Sequence, residues 1–101
     1  PRRLELATGR SVPIDYSADQ PTAKVRVQDV FGTTVHPLAG GHPIVLHLLS
    51  PADRPVQITA DLPGFWAGTW ADVRKDLAGR YPKHRWPDDP AGAQPKRLKE
   101  R

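Results

Sequence analysis

The sequence predicts a small α+β domain, with a β-hairpin and two or three further strands packed against a C-terminal helical region. Three observations predict it. Apolar residues alternate along Leu4–Ala7, and again at Val12, Ile14 and Tyr16, about the turn signal Thr8-Gly9-Arg10. Ile44–Leu49 is the most hydrophobic stretch; it is short, β-branched at its start and bounded by prolines, as a central buried strand would be. Trp66, Trp70, Val73, Leu77 and Tyr81 then recur at steps of three and four, the spacing of a helix with one face on a core.

The two alternating runs read as a β-hairpin, and Pro13, which cannot donate to a ladder, marks an edge strand. Ser17–Thr22 is polar and contains a proline, so it reads as a loop. Ala23–Val27 predicts a short strand. It runs into a short helix in which Val27, Val30 and Phe31 share a face and Gly32 takes the position after the end. His36–Pro43 reads as a loop around Gly40-Gly41. After the central strand, Ser50–Pro55 turns the chain and Val56–Thr59 forms another strand. Asp61 can cap a helix over Leu62–Ala67, with Pro63 tolerated in the first turn. Gly68-Thr69 breaks that helix. Thr69 can cap a second one, with Asp72 three residues on in the capping-box position. Pro82 forbids continuation. The predicted organisation is a compact domain over residues 1–86 and a flexible, proline-rich basic tail over 87–101, without internal repeats.

At 101 residues the chain is one domain with a modest core and little room for a deep cleft. It has no cysteine, which excludes disulfides and thiolate metal sites and favours a cytoplasmic location. No apolar run approaches the roughly 20 residues needed to cross a bilayer, and no signal peptide is visible. The start at Pro1-Arg2-Arg3, without methionine, suggests a piece of a longer protein, although a processed terminus would look the same. A formal charge of +4 and a pI near 9.9 favour anionic partners.

That charge is uneven. Residues 1–73 carry six basic and seven acidic side chains, whereas residues 74–101 carry nine basic and four acidic. The excess begins inside Trp70–Trp86, where Arg74, Lys75, Arg80, Lys83 and Arg85 face only Asp72 and Asp76, with Trp70, Tyr81 and Trp86 interleaved. Clustered cations can neutralise phosphates and aromatics can stack on bases. The same pattern also fits a helix with a solvated basic face and aromatics buried in a small core.

The groupings that announce an enzyme are missing. Gly40-Gly41-His42-Pro43 is a turn and not a phosphate-binding loop. His36, His42, His47 and His84 show no pairing at helical spacing, and no ligand set for a metal can be assembled around them. Asp88-Asp89 reads as a solubilising pair, and Asp72 and Asp76 are explained by capping and by their basic neighbours. Ser11, Ser17 and Ser50 lack the sharp-turn context of a nucleophile.

Three further runs carry a resemblance. They are Leu46–Leu62 followed by Gly64-Phe65-Trp66; Val73–His84, with its unusual Arg80-Tyr81-Pro82-Lys83-His84 core; and Trp86-Pro87-Asp88-Asp89-Pro90. With Thr8–Tyr16, Val25–Gly32 and the glycine pair, they resemble the C-terminal domain of the HrpB-type bacterial ATP-dependent helicases, of the DEAH-box class. The resemblance spans nearly the whole chain. It implies a parent NTP hydrolase whose ATP, Mg and RNA are gripped by two RecA-like domains upstream. No helicase motif occurs in these residues, so no catalytic residue, cofactor or metal is assigned to them.

The expected function is that of an accessory C-terminal domain of a bacterial ATP-dependent RNA helicase. Its basic-aromatic segment would contact RNA or another single-stranded nucleic acid through Arg74, Lys75, Arg80, Tyr81, Lys83, His84, Arg85 and Trp86. Trp86 is the expected stacking ring, because it lies beyond the helical stripe. The alternative is a docking module that packs on the other domains of the parent, or on a partner protein, without touching nucleic acid. No membrane partner is expected.

Overall fold

The computed structural model describes residues 3–93. Arg3–Glu5 (β1) and Ser11–Pro13 (β2) form the antiparallel hairpin, with Leu4 opposite Val12. Gly9 turns the chain between them at φ 95°, a conformation that costs any other L-residue strain. Thr22–Arg26 (β3), Val45–Leu49 (β6) and Pro55–Thr59 (β7) make a three-stranded sheet with β6 in the centre. The most hydrophobic stretch therefore takes the most buried place. Leu46 and Leu48 are wholly buried while Val45, His47 and Leu49 are only half-buried, so one face of the sheet meets the core and the other is open.

β6 runs parallel to β3 and antiparallel to β7. A parallel pair requires a long crossover, and residues 27–44 supply it. The short helix expected after β3 is a single 3-10 turn, Val27–Val30, ended by Gly32 at φ 85°. The segment expected as a plain loop contains a two-stranded ribbon, Leu38–Ala39 (β4) against His42–Pro43 (β5). Gly40 at φ 59° and Gly41 at φ 82° supply the two left-handed residues that a tight two-residue hairpin needs.

Leu62–Ala67 (α1) starts as expected: the Gly64 N–H donates to the Asp61 carboxylate at 3.1 Å. Trp70–Arg80 (α2) follows. Thr69 does not cap it. With φ −74° and ψ −8° its backbone is already helical, whereas a capping side chain reaches the next N–H groups from an extended backbone. Gly68, at φ −110° and ψ −99°, makes the bend between the helices.

The helices lie on the core face, and an aromatic cluster occupies the space between them and the crossover. Phe31, leaving the 3-10 turn, meets Trp66, Trp70 and Trp86 with ring centroids 6.0, 5.7 and 6.4 Å away. Trp66 and Trp70 meet edge to face at 5.4 Å, an arrangement the ring quadrupoles favour. The expected burial of Trp66 and Trp70 is met, and Val73 is partly buried. His36 fixes the start of α1. Its Nδ1 accepts the Leu62 N–H at 2.9 Å and its Nε2 donates to the Ile44 carbonyl at 2.6 Å, which sets the tautomer. One imidazole within the crossover thus ties the N-terminus of α1 to the residue just before β6.

The proposed boundary at residue 86 does not match the packing. Trp70 Nε1 donates to the Pro87 carbonyl at 3.0 Å and the Gly32 N–H donates to the Pro90 carbonyl at 2.8 Å. Pro90 is buried, and Ala91 and Ala93 pack on the core. The backbone carbonyls of this stretch serve buried donors, a role invisible to a composition-based reading. Residues 94–101, the rest of the expected tail, lie outside the described residues.

Trp70 is 1% exposed and touches Phe31, Phe65 and Trp66. Replacing it by alanine is expected to cost about 3–5 kcal/mol. Against a total stability of about 5–15 kcal/mol, urea denaturation should show a marginal or unfolded chain. An unchanged midpoint would contradict the packing described.

Candidate nucleic-acid interface

After α2, Pro82 sends the chain into a turn back on itself. Trp86 Nε1 donates to the Tyr81 carbonyl at 2.9 Å and the His84 N–H donates to the same carbonyl at 3.2 Å. The loop is held from three sides. Tyr81 Oη lies 3.2 Å from Ser50 Oγ, just beyond β6. His84 Nδ1 lies 3.2 Å from Gln28 Nε2, in the 3-10 turn beyond β3. Arg74 Nε donates to the Trp86 carbonyl at 2.7 Å while its Nη2 meets the Asp88 carboxylate at 3.1 Å. The loop therefore sits at the C-terminal end of the parallel strands β3 and β6, presenting Lys83, His84 and Arg85 to solvent.

The eight expected contact residues divide accordingly. Lys75, Lys83 and Arg85 are exposed and make no ion pair among the described residues. His84 is exposed apart from its contact with Gln28. Arg80 is exposed but pairs with Asp76 at 3.1 Å, an i,i+4 contact that water weakens. Arg74 is largely committed to holding the loop. Tyr81 is half-buried with its hydroxyl engaged.

Trp86 corrects the expectation outright. It is 6% exposed and meets Phe31 edge to face, so its ring has no free face on which a base could stack. The helical stripe was the wrong guide because the chain doubles back after Pro82 and returns the ring to the core.

The structure adds cations that no local pattern reveals. Arg10, Arg26 and Arg54 come from the β1–β2 turn, the end of β3 and the β6–β7 loop, and all lie at this same end of the sheet. Arg26 forms a two-point contact with Asp53 at 3.0 and 3.3 Å, and holds that carboxyl below its ordinary value. Arg10 meets Asp29 at 3.5 Å. Asp29 is only 13% exposed, and burial raises its pKa despite the opposing pull of Arg10, Arg26 and the Thr8 hydroxyl.

The family profile described as ATP-dependent helicase C-terminal matches residues 1–90. The chain belongs to the ATP-dependent helicase C-terminal family. The resemblance read from the sequence is thereby shown. The helicase C-terminal domain is 50% identical, over 100 residues, to the ATP-dependent RNA helicase HrpB of Escherichia coli (strain K12), covering 96% of this chain and 12% of that protein. Two crystal structures are similar to it. That of the E. coli DExH-box NTPase HrpB gives a TM-score of 0.94 at 47% identity, covering 98% of this chain and 13% of that one. That of the E. coli DEAH/RHA helicase HrpB gives 0.62 at 43% identity, covering 85% and 11%. The domain thus spans 11–13% of the length of these relatives. Among the described residues, no helix is long and apolar enough to cross a membrane.

Two outcomes follow for this end of the helicase C-terminal domain. Trp86→Phe keeps a ring against Phe31 but removes the donor to the Tyr81 carbonyl. It should cost about 1 kcal/mol and speed amide exchange at residues 83–85, whereas an exposed stacking ring would leave both unchanged. For Asp29, a folded pKa above 3.8 means that the native state holds its proton longer than the unfolded chain does. Its contribution to stability is therefore present below 3.8 and is lost as the pH rises through the elevated value. The stability of the parent relative to Asp29→Asn should fall across that window, and carboxyl NMR should place the Asp29 midpoint above 3.8.

Proposed function

We propose that the chain is the accessory C-terminal domain of a cytoplasmic, bacterial ATP-dependent RNA helicase, and that its basic end grips the phosphate backbone of an RNA strand. Family membership and the name of the E. coli relative support the first part. The cysteine-free composition fits the reducing cytoplasm. One observation carries the contact itself. Lys83 and Arg85 project from a loop tied down at Ser50, Gln28 and Arg74, at the end of the sheet that also holds Arg10, Arg26 and Arg54. A rigid support limits the side-chain and loop ordering that binding would otherwise require. ATP and Mg would belong to the remainder of the helicase and not to this domain.

The burial of Trp86 changes the character of the contact. Without an exposed indole the grip is electrostatic, reads no sequence, and depends steeply on salt. Arg54, Lys83 and Arg85 are the exposed cations of this end without an acidic partner among the described residues, and Lys75 extends the charge along α2.

Three or four phosphates neutralised should give single-stranded RNA a log–log salt slope of about −2 to −3, from roughly 0.7 per phosphate. Affinity should be on the order of 10⁻⁴ to 10⁻⁶ M with little base preference. Lys83→Glu with Arg85→Glu should lower both affinity and slope in a fluorescence anisotropy titration at two salt concentrations. Absence of binding at low salt would leave this end as a docking surface for protein.

A further inference from the structure

Among the ion pairs of the described residues, Arg26–Asp53 stands apart in geometry and in setting. Arg26 ends β3, and Asp53 sits in the turn after β6. The guanidinium donates through Nε to Asp53 Oδ1 at 3.0 Å and through Nη2 to Oδ2 at 3.3 Å. Two parallel bonds from one edge of a guanidinium hold a phosphate as well as they hold a carboxylate. Both side chains are open to water, Arg26 at 41% and Asp53 at 61%. The other pairs are not built this way. Arg10 meets Asp29 at one point, 3.5 Å, and Asp29 is largely buried beside the Thr8 hydroxyl. Arg74 is bound to the Trp86 carbonyl as well as to Asp88. Arg80 and Asp76 are open, but they are neighbours on one helix, bonded through Nε.

The backbone at Asp53 is unusual too. Its φ is 62°, and among the described residues no other non-glycine residue has a positive φ. Glycine takes that conformation freely, whereas a residue with a Cβ takes it at a cost. The turn closes without help from the carboxylate. The Ser50 N–H donates to the Arg54 carbonyl, the Asp53 N–H to the Ser50 carbonyl, and the Ala52 and Arg54 N–H groups to Ser50 Oγ. What the aspartate adds is an anion in the Arg26 fork. Arg26 pairs with Leu49 in the parallel ladder, and Gln28 and Ser50, just beyond these two residues, hold the Lys83–Arg85 loop.

We infer, on the reading of this end as a phosphate grip, that Asp53 stands in for phosphate: it closes the Arg26 fork in the free domain and yields it to a phosphodiester of the RNA strand. An exposed ion pair is weak, so the exchange costs little. A strand already held by Arg54, Lys83 and Arg85 presents its next phosphate at high effective concentration and can displace the carboxylate. A free anion has no such advantage. Asp53 thus reserves Arg26 for a polyanion.

The test uses the 101-residue chain with single-stranded RNA in fluorescence anisotropy. Asp53→Gly keeps the turn and removes the carboxylate. It should raise affinity several-fold and steepen the log–log salt slope by about 0.7, the share of one phosphate. Asp53→Asn, which also tolerates the left-handed backbone, should act in the same direction by less. Both gains should vanish in an Arg26→Gln background. A merely structural pair would lower the melting temperature in these variants and leave affinity unchanged, which would overturn the inference. A gain that persists without Arg26 would overturn it too, because loss of any negative charge would then explain it. In NMR spectra the Arg26 Nε–H resonance should move on addition of RNA and stay in place with inorganic phosphate at the same ionic strength. An equal response to both would replace the strand contact with a free-anion site. Binding that Lys83→Glu with Arg85→Glu weakens and Asp53→Gly leaves unchanged ends this inference alone. Absence of binding at low salt in every variant ends the reading of the basic end, and this inference with it.

Discussion

Phe31 touches all three tryptophans, and the rest of the structure depends on that cluster. A buried indole N–H needs an acceptor, and here each one takes the backbone carbonyl of an irregular segment: Trp66 that of Thr33, Trp70 that of Pro87, and Trp86 that of Tyr81. The rings fill the core between helices and crossover while their polar edges pin three loops. Loop order and core packing are therefore one property of this molecule. The segment from Pro82 to Pro90, which has little secondary structure, owes its position to its own Trp86 and to side chains that lie elsewhere in the sequence.

The pinned loops give the domain its polarity. β3 and β6 are parallel, so the segments that leave them, the 3-10 turn and the Ser50–Arg54 turn, lie at one end, and the segments that enter them lie at the other. Arg10, Arg26 and Arg54, far apart in sequence, join the Lys83–Arg85 loop at the exit end. The exposed apolar Tyr16, Val35 and Leu38 lie next to the segments that enter β3 and β6. An antiparallel β3–β6 pair would have mixed the two sets. A strand pairing that contributes no functional group thus decides which groups act together.

Much of the fold is legible locally. The glycine turn of the first hairpin, the proline-bounded central strand, Asp61 at the start of α1 and Pro82 after α2 are each specified by a few adjacent residues whose backbone preferences agree. Thr69 was misleading because a capping preference is conditional on an extended backbone, which the Gly68 bend does not deliver. His36 looked like an unassigned histidine. Only the fold shows it between a helix N-terminus and the carbonyl of Ile44, just before β6. At the candidate site, Lys75, Lys83 and Arg85 were recognisable as a dense run of cations. The structural commitment of Arg74 was not, since its partners, Trp86 and Asp88, sit beyond a turn whose path local sequence leaves open.

Taken alone, the chain's residues determined the α+β class, the order of its principal strands and its two α-helices, the basic excess of its second half and its likeness to helicase C-terminal domains. Each of these rests on neighbours in sequence: periodicity, turn chemistry, composition and contiguous motifs. The tertiary structure alone decided that Trp86 is core, that residues 87–93 belong to the packed domain, and that Arg10, Arg26 and Arg54 share an end with Lys83 and Arg85. Those outcomes turn on which carbonyl a buried indole reaches and on whether two strands run parallel, and both are settled only when segments far apart in the chain compete for the same interior space.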